Sequence, residues 1–156
     1  MSVSGPEVRG RSPVLVAFRR PDAVRIELPG TSGARLVAVA RAGRLTAVLP
    51  GARAVFEGPA TPAELDALVG VALSPEELMD VLVGVAPPRL RAYHARWDAA
   101  LPRRIEVVLP DGTRLKAKVE EAEVDPILPA AAFDPPSHAG YRPVNAAEAR
   151  RLLGGG

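Results

Sequence analysis

The sequence predicts an α+β fold in which a curved antiparallel β-sheet carries short helices against one face. Three observations lead there. Strands with alternating apolar residues dominate the first third of the chain. The period then changes to helical at two sharply capped starts. Further alternating strands follow. The 156 residues suffice for a single domain, 1–156, with loose ends at 1–12 and 154–156.

Met1 to Ser12 is polar and reads as a loose start or a weak edge strand. Val14 to Phe18 is a short strand that ends in the turn Arg19-Arg20-Pro21-Asp22. Val24, Ile26 and Leu28 alternate with Arg25 and Glu27, the pattern of a half-buried strand. Pro29 to Gly33 reads as a loop. Arg35 to Leu49 forms a hairpin around Ala42-Gly43. Pairing Ala40 with Leu45 sets Ala38 opposite Ala47 and Leu36 opposite Leu49, so one face is wholly apolar and must point inward. The other face carries Arg35, Arg41, Arg44 and Thr46 among its valines. After Pro50-Gly51, one more strand spans Ala54 to Glu57.

Thr61-Pro62-Ala63-Glu64 is a capping box with proline at the first helical position, and Gly70 can close that helix. Ser74-Pro75-Glu76-Glu77 repeats the start, with Gly84 near the end of the second helix. Pro87-Pro88 stops it, and Arg89 to Trp97 reads as a strand. Ile105, Val107 and Leu109 form one strand face, and Leu115, Ala117 and Val119 another. A three-residue loop, Asp111 to Thr113, would pair Leu109 with Leu115 and Val107 with Ala117. Asp125 to Pro136 is proline-rich and reads as an irregular sheet edge. Asn145 caps a last helix that ends at Leu153.

Composition narrows the function. A net charge of +2 and six aromatic residues give no electrostatic or stacking basis for nucleic-acid binding. The absence of cysteine excludes disulfides and thiolate metal sites. No apolar run approaches the ~20 residues of a membrane helix. Met1 to Gly10 shows no signal peptide, which by itself predicts a chain that stays in the cytoplasm. No catalytic residue, cofactor or metal site is predicted. His94 and His138 lie in no catalytic motif. Glu64, Asp66, Glu76, Glu77 and Asp80 sit in or near the first turns of the two helices, where capping and the helix dipole account for them. Trp97 is read as a core residue rather than an interfacial anchor.

What remains is an aliphatic concave face. Ile26, Leu36, Ala38, Leu45, Ala47 and Leu49 would line it, with Ile105, Val107, Leu115 and Val119 from the later strands. Leu65, Leu68, Leu78 and Leu82 would roof it from the helices. Such a face either closes into a packed core or stays open to an acyl chain. The second fate is worth up to ~0.8 kcal/mol per buried CH₂, on the order of 10 kcal/mol for a chain of about sixteen carbons.

Gly58-Pro59-Ala60-Thr61-Pro62-Ala63-Glu64-Leu65, continuing through Gly70 to Leu78 and closing at Leu82-Val83-Gly84, resembles the central helical segment of the LolB and LolA lipoprotein-sorting family. Arg19 to Leu28 resembles the strand and turn that precede it. Leu101 to Ile105 and Leu128 to Phe133 resemble the family's later strands and C-terminal extended segment. The resemblance covers about residues 14–144. It implies an incomplete antiparallel barrel whose short helices cover the concave face as a lid over an apolar cavity. It also implies a non-enzymatic activity: accepting lipoproteins or lipid acyl chains in the periplasm for outer-membrane localisation. The protein would be a monomer that touches the inner leaflet of the outer membrane through Gly30, Thr31 and Ser32. The family's leader and lipid-bearing cysteine are not read in Met1 to Gly10, as expected of either a trimmed start or a soluble relative, and that loop has no large apolar residue. The alternative on the same scaffold is an envelope protein-interaction or sensor module with a filled core.

Overall fold

A computed structural model describes residues 2–4, 9–11 and 13–154. Two short strands open the chain, β1 (Ser2–Ser4) and β2 (Arg9–Arg11). A meander follows: β3 (Leu15–Arg19), β4 (Ala23–Gly30), β5 (Gly33–Arg41), β6 (Arg44–Leu49) and β7 (Ala54–Pro59). Next come α1 (Pro62–Val69) and α2 (Pro75–Val83). The strands β8 (Ala92–Asp98), β9 (Leu101–Val108) and β10 (Arg114–Lys118) form a second meander. A 3-10 turn at Ala130–Phe133, the two-residue strand β11 (Arg142–Pro143) and α3 (Ala146–Gly154) end the chain.

The α+β class is therefore the one predicted, but the strands pair as two sheets and not as one. One sheet has the order β2-β1-β10-β9-β8, the other β11-β7-β6-β5-β4-β3. They fall in two compact units, residues 1–12 with 77–128 and residues 13–76 with 129–156. The second sheet is mixed, because β11 runs parallel to β7. Short connections favour antiparallel neighbours, which local patterning can anticipate; a parallel partner arriving from nearly 90 residues away leaves no local signal.

In the unit built on the six-stranded sheet, the β5–β6 hairpin has the predicted register, with Ala40 opposite Leu45 and Ala38 opposite Ala47. Its turn residues Ala42 and Gly43 both have positive φ, as a two-residue type I′ turn requires. Pro29 to Gly33 is not the open loop predicted. β4 continues to Gly30 and β5 begins at Gly33, so only Thr31 and Ser32 turn the chain. A register shift between Leu28 and Pro29 accommodates the proline, which cannot donate to the ladder.

Both faces of the central strands are buried. Leu36, Ala38 and Ala40 share one face with Leu45, Ala47 and Leu49. Val37, Val39 and Val48 lie on the other. The arginine-bearing face is thus not left to solvent. Residues 130–141, those up to Pro136 expected at the sheet edge, cross this face as a strap instead. Arg25 on β4 donates to the Ala132 carbonyl at 3.2 Å. Arg41 on β5 pairs with Asp134 at 3.2 Å, and His138 lies 3.4 Å from Glu57 on β7. Phe133 is fully buried beneath the strap, with the Arg19 guanidinium 5.0 Å from its ring centre.

α1 forms as predicted: Thr61 Oγ1 accepts from the Glu64 amide at 3.3 Å, Pro62 occupies the first position and Gly70 caps the end. Its partner is α3, which also rests on β7. Arg150 on α3 donates to the Asp66 carbonyl at 3.2 Å. The C-terminal helix therefore serves to hold α1.

In the other unit, β9 and β10 pair with Leu115 opposite Val107 and Ala117 opposite Ile105. This is two residues away from the predicted register. A shift of two preserves the faces, because the side-chain period is two. Turn chemistry sets the difference. The Gly112 amide donates to the Leu109 carbonyl at 2.9 Å, and Gly112 adopts φ +89, so the three-residue loop is Pro110 to Gly112. Tyr93 on the apolar face of β8 donates to the Val81 carbonyl of α2 at 2.9 Å and ties that helix to the sheet. Burial raises the Tyr93 phenol above its ordinary value.

Candidate functional site

The predicted acyl-binding residues separate by unit. In the six-stranded unit, Leu36, Ala38, Leu45, Ala47 and Leu49 occupy one sheet face, each at most 2% exposed, and Ile26 beside Ala38 is half-buried. Leu65 and Leu68 are buried on α1. In the other unit, Ile105, Val107 and Leu115 are buried on one face and Val119 is half-buried, while Leu78 and Leu82 are half-buried on α2. Within each unit the strand residues share a face, which is what alternation dictates. Gly30, Thr31 and Ser32 form the exposed tip of the β4–β5 hairpin.

The apolar face of the six-stranded sheet has a particular shape. Ala38 and Ala47 stand directly opposite each other on neighbouring strands, Ala40 faces Leu45, and Leu49 faces Ala54. Ala38 and Ala47 are small side chains at the middle of this face, with Leu36 and Leu45 beside them and Phe56 opposite Ala47, and all are buried. No polar or charged side chain is buried among the described residues. The chemistry such a surface offers is contact with alkyl groups.

Polar groups elsewhere are largely engaged with one another. Glu77 takes two hydrogen bonds from Arg89, at 2.8 and 2.7 Å, and these raise the Arg89 guanidinium above its ordinary value. His138 has Glu57 at one ring nitrogen and the Pro136 carbonyl, at 2.8 Å, at the other, so the imidazole fastens the strap. Among the described residues, no group of three His, Cys, Asp or Glu is placed to hold a metal ion.

Two features escaped the sequence reading. Trp97 is not a core residue: it is 53% exposed at the end of β8, an edge strand of its sheet. The second is an open hollow of about 460 Å³ lined by Asp98, the chain neighbour of Trp97, with Arg103, Arg104, Lys118, Val119 and Glu120. The available signal was the Arg103-Arg104 pair together with Lys118, one of only two lysines in the chain.

Among the described residues, no helix is long and apolar enough to cross a membrane. Comparison with known protein families and with curated protein sequences finds no match for this chain.

Proposed function

We propose that the protein is a non-enzymatic carrier or acceptor of lipoproteins or lipid acyl chains. In this reading it works in the periplasm, beside the outer membrane, on a LolB/LolA-like scaffold. One observation carries the proposal: the in-register face of Leu36, Ala38, Ala40, Leu45, Ala47 and Leu49, continuous, free of polar side chains and built of alanines at its middle. An acyl chain laid along the alanines would exchange water for methyl and methylene contacts over its whole length. α1, held by α3 through Arg150, is a short element that could yield to admit cargo at modest cost.

A second reading, an interaction or sensor module with a filled core, is favoured by how completely this face is buried: Leu36 and Ala47 are 0% exposed. Ala47→Leu separates the two. In a receptive hollow the added methylenes occupy cargo space, so delipidated protein loses affinity for a fluorescent sixteen-carbon fatty acid while its melting temperature holds or rises. In a filled core the same change overpacks and costs about 1–3 kcal/mol of stability. Saturable fatty-acid binding by the parent protein that Ala47→Leu weakens supports the carrier. Parent protein that binds no fatty acid above background overturns it.

A further inference from the structure

The outer N–H and C=O groups of a sheet's last strand have no partner, and proteins close such edges with charge, proline, a bulge or a very short strand. Three of the four edges in the two sheets follow this rule. β11 has two residues, one of them Pro143. β2 has three residues. β8 carries His94, Arg96 and Asp98 and a register shift between Arg96 and Trp97. β3 has none of these devices. Leu15-Val16-Ala17-Phe18 precede its single charge, Arg19, and all five residues pair with β4 without a break. Among the described residues, no turn or loop hydrogen bond reaches β3. Leu15 is 60% exposed and Val16 37%.

Two apolar cross-strand rows run out at this edge. Phe56, Ala47, Ala38, Ile26 and Val16 form one, and Leu45, Ala40, Val24 and Phe18 form the next. The inner members are buried, whereas Ile26 and Phe18 are half-buried and Val16 is exposed. Rows that end in accessible apolar side chains gain from continuing into another strand.

β3 is complementary to itself. Residues opposed across an antiparallel pair share one side of the sheet, which fixes the registers in which β3 can meet a second β3. The register that overlaps all five residues turns about Ala17. It opposes Val16 to Phe18 of the second copy, and Phe18 to the second Val16, so each apolar row runs on into the other copy. On the other side, Leu15 meets the carbon stem of the second Arg19. Ala17 faces itself, and no charge on β3 stands opposite a like charge.

We infer that two copies of this chain associate through β3, paired antiparallel about Ala17. The inference does not rest on the acyl-chain reading, and it departs from the monomer that the family resemblance implies.

The test uses the full chain in sedimentation equilibrium. The expected result is a mass that rises with concentration towards that of a dimer. Val16→Lys puts a charge into the join and should weaken association about tenfold or more. At a dilution where both proteins are monomers its melting curve should match the parent's. The chain has no cysteine, so one introduced thiol reports the register. Ala17→Cys should crosslink to its own copy on mild oxidation, since directly opposed residues hold their Cα atoms about 5 Å apart. Leu15→Cys should not, because four residues of strand, about 13 Å, separate the two Leu15 positions. A parent that stays monomeric up to millimolar concentration overturns the inference. So does Val16→Lys that associates like the parent, or crosslinking through Leu15→Cys and not through Ala17→Cys. Binding of an extended apolar peptide by a monomeric parent would give the edge to another partner and overturn it equally.

Discussion

The Trp97 indole lies against the backbone of Gly84, so close that a methyl group on Gly84 would overlap its ring carbons. Gly84 also holds φ +93, a conformation that L side chains rarely adopt. Gly84→Ala should therefore do two things. It should cost about 1–3 kcal/mol from strain and overlap, read as a lower melting temperature. It should also push the indole outward, read as a red shift of the sole tryptophan's emission. Unchanged emission would mean that the indole does not rest on Gly84.

The strap across the arginine-bearing face hangs on Phe133. The ring is fully buried, whereas the Arg19 guanidinium above it and the Arg41–Asp134 pair are at the surface. Burial and not charge should hold the strap. Phe133→Ala is expected to cost about 3–5 kcal/mol in urea denaturation, and Arg19→Met about 1 kcal/mol or less. Comparable losses from the two variants would reverse the ranking and make the cation–π contact the main fastening.

These elements also mark where the sequence was readable. The β5–β6 register followed from a face that had to be apolar, and α1 followed from Thr61, Pro62 and Gly70, because each signal lies within a few residues of what it specifies. The β9–β10 faces were legible for the same reason. Their register was not, because a two-residue slip leaves Ile105, Val107 and Leu115 on the same side and only the conformation of Gly112 decides between them. The strap left a trace in Val37, Val39 and Val48, apolar residues on a face otherwise marked by arginine, but its identity depends on a segment some ninety residues further along. The parting of the strands into two sheets has no local signature at all. Neither has the exposure of Trp97, since an edge strand and a central strand carry the same alternation.

The helix α3 should owe more to its cap than to its salt bridge. Asn145 Oδ1 accepts from the Glu148 amide at 2.8 Å, satisfying a donor that the helix cannot. Arg142 and Glu148 pair at 2.6 Å, but the Arg142 side chain is 57% exposed, so solvent screens the attraction. Asn145→Ala should lower stability by about 1 kcal/mol. Arg142→Gln should change it by about half that or less. Because α3 holds α1 through Arg150, hydrogen exchange in α1 should quicken in Asn145→Ala. Protection of α1 equal to that of the parent would show the two helices to be independent.

The turn at Pro110 to Gly112 carries a pH dependence of known sign. The Asp111 carboxylate accepts the Thr113 backbone amide at 2.8 Å. That bond, with a smaller contribution from the Thr113 hydroxyl, holds the Asp111 carboxyl below its ordinary value. A lowered folded-state value means the ionised form favours the folded turn. The contribution is complete above the ordinary aspartate value of about 3.9 and disappears as pH falls through the lower folded value. The Thr113 amide proton should therefore titrate in NMR spectra with a midpoint below that of an unperturbed aspartate. Asp111→Asn keeps an oxygen acceptor but no ionisable group, so its Thr113 amide should stay flat over the same range. A Thr113 amide that titrates at the ordinary aspartate value, or in the Asn variant, would place the controlling carboxylate elsewhere.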